Sequence, residues 1–220
     1  EISCSLVGSE MCIRDRSSTG RNTDAIKKTI IMEVIWRLDG EMTKAPMQRI
    51  DNILKNETYR FLMGMIRERE LARIFCCHGL DHCLDVARIA YMLDMDEGAG
   101  IDRELIYAAA LLHDVGRADP DNTGMEHHIL SVRYAGDILR QCGFEEDETE
   151  IICDAIGSHN TDGADRHGLA YFLYKADKLS RNCFDCAAVD ECYWPDSERN
   201  KGIIYSVSYT HLTLPTNSRV

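Results

Sequence analysis

Five residues stand where apolar helical stripes end or are interrupted, His82, His113, His127, His159 and Asp177, with Asp114 beside the second. Each histidine taken singly reads as a hydrogen-bonded core residue. As a set they read differently, because burying so many imidazoles and carboxylates in one small core costs on the order of several kcal/mol per unmatched group. Convergence on a metal ion removes that cost. Imidazole and carboxylate donors suit iron, manganese or zinc, and the oxygen ligands favour the harder ions. A second group of candidate ligands lies in Cys183-Phe-Asp-Cys186-Ala-Ala-Val-Asp-Glu-Cys192. A C-x-x-C pair with a third cysteine could hold structural zinc or an iron–sulfur cluster, and a closed site would draw a fourth ligand from Cys76, Cys77, Cys153 or His167. The other reading of these cysteines is free structural thiols. Trp194 and Pro195 are expected to pack this tail down.

The elements that would position these side chains are helices. Pro46 suits a first helical turn, and Ile50, Ile53, Leu54, Phe61, Leu62 and Met65 recur at helical intervals. His82, Val86, Ile89 and Leu93 share the stripe of a second helix that ends at Gly98 and Gly100. Asp102 is placed to cap a third, Arg103 to His113. A polar loop over 119–124 leads to a helix from about Met125 to Cys142, with His127, Ser131, Tyr134 and Ile138 inward. Glu148 to Ser158 aligns Ile152, Ala155 and Ile156 with His159, and Leu169 to Ser180 aligns Ala170 and Leu173 with Asp177. Alternating strands and internal repeats are not evident, so the expected fold is all-α, a single helical bundle.

The 220 residues and 45% hydrophobic content suit one catalytic domain. No run approaches the roughly 18 to 20 apolar residues of a membrane span, which points to a soluble protein without a membrane partner. Lys and Arg number 25 against 37 Asp and Glu, a net charge of −12, which disfavours a nucleic-acid partner. Ten cysteines at irregular spacing fit a reducing cytoplasm. The ends look foreign: Ser5-Leu-Val-Gly-Ser-Glu-Met-Cys-Ile-Arg-Asp-Arg16 and Val207-Ser-Tyr-Thr-His-Leu-Thr-Leu-Pro-Thr216 resemble translated library-adapter sequence. The expected organisation is a non-native extension over 1–18, an N-terminal helix over 19–44 that precedes a candidate native start at Met42, a catalytic domain over 45–182, a Cys-rich tail over 183–205, and a second non-native extension over 206–220.

The successive segments His82-Cys-Leu-Asp-Val-Ala-Arg-Ile-Ala90, Leu111-Leu-His-Asp-Val-Gly-Arg117, His127-His-Ile-Leu-Ser131, Ala155-Ile-Gly-Ser-His159 and Lys175-Ala-Asp-Lys178 resemble, in order and spacing, the motifs of HD-domain metal-dependent phosphohydrolases. The resemblance implies an HD-type bundle with His82, His113, Asp114 and Asp177 as metal ligands. His127 and His159 resemble the additional pair of two-metal members, such as symmetric diadenosine tetraphosphate hydrolases and cyclic-dinucleotide phosphodiesterases. The glycine-tyrosine-proline signature of the latter is absent, which counts against that substrate. On this reading one or two divalent ions (Fe, Mn or similar) generate hydroxide, Asp114 bridges them, and the substrate is a phosphoester or phosphoanhydride of a nucleotide-like small molecule. Arg117 is a candidate phosphate contact, with carbonyl capping at a helix end as its other reading. His78, one helical turn before His82, is a candidate substrate contact, and Lys178 reads as a solvated lysine. The alternatives are a non-catalytic nucleotide- or metal-sensing module and an HD-like di-iron oxygenase.

Overall fold

Seven α-helices and four 3-10 turns account for the regular structure of the computed structural model, which describes residues 47–161 and 167–203. The sequence-based readings of 1–18, 19–44 and 206–220 lie outside the described residues. The helices are α1 (Gln48–Lys55), α2 (Glu57–Arg69), α3 (Leu80–Glu97), α4 (Arg103–Leu112), α5 (His127–Cys142), α6 (Glu146–Ser158) and α7 (Leu169–Leu179). Among the described residues there is no strand, so the fold is all-α as the periodicity indicates. No helix among them is long and apolar enough to cross a membrane.

The bundle is built around α4. Ile106 and the run Ala108 to Leu112 are fully buried, because α1, α3, α5, α6 and α7 all pack on this helix. Small alanine side chains at the centre let several neighbours approach one axis at once. Asp102 caps α4 by accepting from the Glu104 amide at 2.7 Å, the role expected of it. On the far side Arg49 ties three elements together. Its Nε donates to Glu104 at 2.6 Å, its Nη1 to Glu148 at 2.5 Å, and its guanidinium lies 4.3 Å from the centre of the Phe144 ring.

Three expectations need correction. The apolar stripe from Ile50 to Met65 is split into α1 and α2 at Asn56, whose side chain accepts from the Tyr59 amide and starts a new helix. That change of axis leaves Phe61 60% exposed and moves the buried face to Tyr59, Leu62 and Ile66. The buried stripe of α3 likewise runs through Cys83, Val86, Ala87, Ala90 and Leu93, leaving Ile89 half-buried. After α4 the chain makes a 3-10 turn, Val115–Ala118, that the polar loop pattern does not announce.

That turn sits against α5. The Gly116 amide donates to Ser131 Oγ at 2.9 Å, and a Cβ on Gly116 would overlap the His127 carbonyl oxygen and stand 2.5 Å from Ser131 N. Those neighbours are backbone, which cannot swing aside. Gly116→Ala should therefore push α5 off the turn and destabilise the protein by about 1 to 3 kcal/mol, the usual cost of overpacking. Urea denaturation would show a lowered midpoint. An unchanged midpoint would mean that α5 yields freely there.

Candidate metal centre

The candidate ligands come from helix ends gathered at one end of the bundle. His82 lies in the first turn of α3, His113 and Asp114 follow the last residue of α4, His127 opens α5, His159 caps the C-terminus of α6, and Asp177 lies in the last turn of α7. Adjacent residues in a continuous helix point about a hundred degrees apart. His113 keeps helical angles (φ −60°, ψ −32°), whereas Asp114 breaks away at φ −111° and ψ 4°, which lets both side chains address the same space.

Asp114 is the centre of the arrangement. It is 2% exposed, and five imidazole Nε2 atoms lie within 3.9 Å of its carboxylate: those of His78, His82, His113, His127 and His159. The two oxygens face different partners. Oδ2 looks toward His113 (3.3 Å) and His82 (3.9 Å), and Oδ1 toward His127 (3.4 Å) and His159 (3.9 Å). Asp177 Oδ1 completes the first side, 3.4 Å from His82 Nε2 and 4.0 Å from His113 Nε2. Two groups could each hold an ion, His82 with His113 and Asp177, and His127 with His159 and Asp114, each with its ligand atoms within 4.8 Å of one another.

The hydrogen bonds fit metal binding. His113 Nδ1 lies 2.8 Å from the Ala110 carbonyl and His159 Nδ1 2.5 Å from the Ile156 carbonyl. A carbonyl only accepts, so both rings carry the proton on Nδ1 and turn the Nε2 lone pair inward. His82 Nδ1 is held 3.3 Å from Ser180 Oγ, whose hydroxyl donates to the Asp177 carbonyl, leaving the same ring tautomer. Three buried atoms, His82 Nε2, His113 Nε2 and Asp114 Oδ1, have no hydrogen-bond partner. Such atoms are costly unless a cation meets them.

Charge follows the same logic. Burial lowers the His82, His127 and His159 imidazoles to about 4, assisted by His113 at His82 and His159 and by Arg117 at His127. At neutral pH these rings are uncharged, the form that ligates metal. Burial pulls on His113 and Asp114 too, but their mutual attraction prevails, raising the imidazole and holding the carboxyl well below its usual range. Asp177 is lowered against its burial by His113 and Lys178.

Arg117 turns into the site. Its Nε is 2.8 Å from Asp114 Oδ1, at ion-pair distance but not hydrogen-bond angle, and its Nη2 is 3.5 Å from His127 Nε2. His78 is 8% exposed, and its Nδ1 and backbone amide both engage Glu70, at 2.5 and 2.7 Å. His128 faces away, toward Glu126 and Asn160. Glu70 and Ser180, which orient His78 and His82, carry no periodic signal that sequence reasoning could use. Lys178 departs from its solvated reading: Nζ lies 2.7 Å from Asp177 Oδ2 and over the Tyr174 ring. The proposed cysteine site is not assembled. Cys183, Cys186 and Cys192 are free thiols spread along two 3-10 turns, and among the described residues no three sulfurs come within 4.8 Å of one another.

Comparison with known proteins agrees with this geometry. The HD domain family model matches residues 79–182, a span that contains all six His and Asp candidate ligands. An uncharacterized protein of Clostridium beijerinckii is 38% identical over 159 residues, 72% of this chain and the whole of that protein. Ribonuclease Y of Helicobacter hepaticus is 27% identical over 201 residues, 81% of this chain but 37% of that protein. The crystal structure of a predicted HD superfamily hydrolase from an uncultured Thermotogales bacterium covers 74% of this chain and 86% of its own, at 23% identity and a TM-score of 0.48. With a full-length relative at this identity and the family model spanning all six candidate ligands, the chain belongs to the HD-domain family of metal-dependent hydrolases.

Proposed function

We propose that the protein is a phosphohydrolase acting on a phosphoester or phosphoanhydride of a nucleotide-like small molecule at a site for two divalent ions. The observation that carries this reading is Asp114, a buried carboxylate with each oxygen facing its own set of ligands. His82, His113 and Asp177 would hold one ion, His127 and His159 the other, with Asp114 shared. Bound divalent ions supply Lewis acidity toward phosphoryl oxygens and lower the pKa of water.

The chain's own residues supply the rest. Arg117, at the edge of the ligand set and about a third exposed, offers a planar guanidinium to a phosphoryl oxygen. His78, fixed through Nδ1 by Glu70, presents Nε2 to the same space and can hold or pass a proton there. Lys178 neutralises the outer oxygen of Asp177 and so fixes which oxygen faces inward. Relatives named ribonuclease Y make an RNA phosphodiester the second reading. The net charge of −12 weighs against long RNA, and a short oligoribonucleotide in the substrate screen separates the two.

His113→Ala and Asp114→Ala should lose bound metal and at least about a hundredfold in turnover while remaining helical by circular dichroism. Phosphate release across a nucleotide panel, with oxygen consumption as control, measures this, and full activity in either variant would sink the assignment.

Metal counting tests the second ion independently. Wild-type protein should carry two ions per chain, and His127→Ala or His159→Ala should lose about one, whereas His128→Ala, whose ring faces Glu126 and Asn160, should keep both. One ion per chain in active wild type, unchanged by His159→Ala, would leave a single-metal enzyme.

A further inference from the structure

The cavity beside the candidate ligands holds about 850 Å³, within the range of sites that enclose a whole small molecule. One end is lined by His78, His82, Arg117, His127 and Asp177. The other end is built from the stretch before α3 and from the chain beyond Arg181, most of which lies outside the 79–182 span of the HD family match.

At this far end the chemistry changes from titratable to aromatic. Phe75 and Tyr193 meet edge to face with centroids 6.2 Å apart, and Tyr193 and Trp194 lie 5.5 Å apart with ring planes 31° from parallel. The Arg181 guanidinium lies 4.2 Å from the centre of the Trp194 ring. Tyr193 is nevertheless 71% exposed while lining the cavity, so most of its ring has no protein against it. Arg181, half-buried, lines the cavity and has cation–π contact with Trp194, with no ion pair or hydrogen bond through its side chain among the described residues.

This wall is fixed in place. Asn200, 8% exposed, sets its side-chain amide 2.8 to 3.2 Å from the carbonyls of Lys178, Leu179 and Arg181, closing the end of α7 onto the tail. Arg199 donates to the carbonyls of Trp194 and Cys192 at 2.8 and 2.7 Å. A solvent-facing aromatic surface on an anchored segment, opposite a phosphate-suited ligand set, is suited to a flat, polar-edged ring.

We propose that Tyr193 and Arg181 form a nucleobase subsite: the base of a nucleotide stacks on the exposed ring of Tyr193, and Arg181, laid on Trp194, donates to oxygen or nitrogen acceptors on the base edge. This rests on the nucleotide phosphohydrolase reading and assigns its selectivity to the C-terminal tail. Stacking on an aromatic side chain tolerates any base, whereas guanidinium donors favour bases that present adjacent acceptors.

Calorimetric binding to the full-length protein under chelation, where no turnover occurs, tests the subsite with AMP, GMP, CMP and UMP against ribose 5-phosphate. At least one nucleotide should bind wild type about tenfold or more tighter than ribose 5-phosphate, in keeping with one stacked base. Tyr193→Ala should abolish that advantage and leave ribose 5-phosphate binding unchanged, Tyr193→Phe should retain it, and Arg181→Met should narrow the differences among the four bases. If no nucleotide outbinds ribose 5-phosphate, or if Tyr193→Ala keeps the preference, the subsite is overturned. Turnover of the same compounds, with ATP and diadenosine tetraphosphate added for the anhydride bond, by metal-loaded protein separates the two readings: a binding contrast with no hydrolysis of any of them defeats the phosphohydrolase and leaves the subsite, and hydrolysis with no binding advantage of nucleotides over ribose 5-phosphate does the reverse.

Discussion

A carboxylate that is 2% exposed must be met by positive charge or by donors, and the bundle is arranged to meet Asp114. Five imidazoles and one guanidinium from four helices, the turn after α4 and the segment before α3 surround it. Three of those imidazoles are held neutral by burial, so at neutral pH they offer lone pairs where Asp114 needs a cation. His113 and Arg117 attract the carboxylate, but the lone pairs of the three neutral rings turned toward a buried anion are repulsive by themselves. Its natural complement is an ion small enough to sit among Nε2 atoms and carboxylate oxygens, which is why the family assignment and the electrostatics lead to the same place.

The helices serve this requirement at their ends. Ligands at helix termini converge because the chain can change direction there, and the break at Asp114 shows the benefit, since two adjacent residues serve one site. Convergence also needs the termini to be close. Gly116 packs without a side chain against the backbone of α5 and holds His127 beside Asp114, and the alanines of α4 let α3, α6 and α7 bring His82, His159 and Asp177 to one level. Stability of the core and placement of the ligands therefore rest on the same small residues.

Much of this was legible in the sequence because the ligands interrupt apolar stripes. A histidine at the end of a stripe, as His159 is after Ile152, Ala155 and Ile156, must be inside, and its cost must be met there. The face containing Ser131 and Ile138 separated His127 from His128 for the same reason, and the structure turns His127 toward Asp114 and His128 toward Glu126 and Asn160. Residues that act through another residue leave no such mark. Glu70 meets His78 from the end of α2, and Ser180 meets His82 across 98 positions. Lys178 was misread because spacing reports which face a residue occupies and not whether its long side chain folds back onto Asp177. The split at Asn56 was missed because one residue accepting from Tyr59 N is enough to begin a new helix in the middle of an apolar pattern.

The cysteine tail shows what local spacing leaves open. A C-x-x-C pair promises metal only if backbone geometry brings its sulfurs together, and here the tail instead spends its polar contacts on anchoring. Asn200 satisfies carbonyls left open at the end of α7, and Arg199 does the same for the turn that carries Trp194. With those bonds the tail holds its aromatic residues against the cavity while burying, among its described residues, little more than Ala188 and Asn200. Ligands set on packed helix ends resist change, since moving one disturbs the core, whereas a wall held by a few side-chain-to-carbonyl bonds can be re-lined without touching them. Weakening the Asn200 anchor would loosen Tyr193 and Trp194 and leave the arrangement around Asp114 in place.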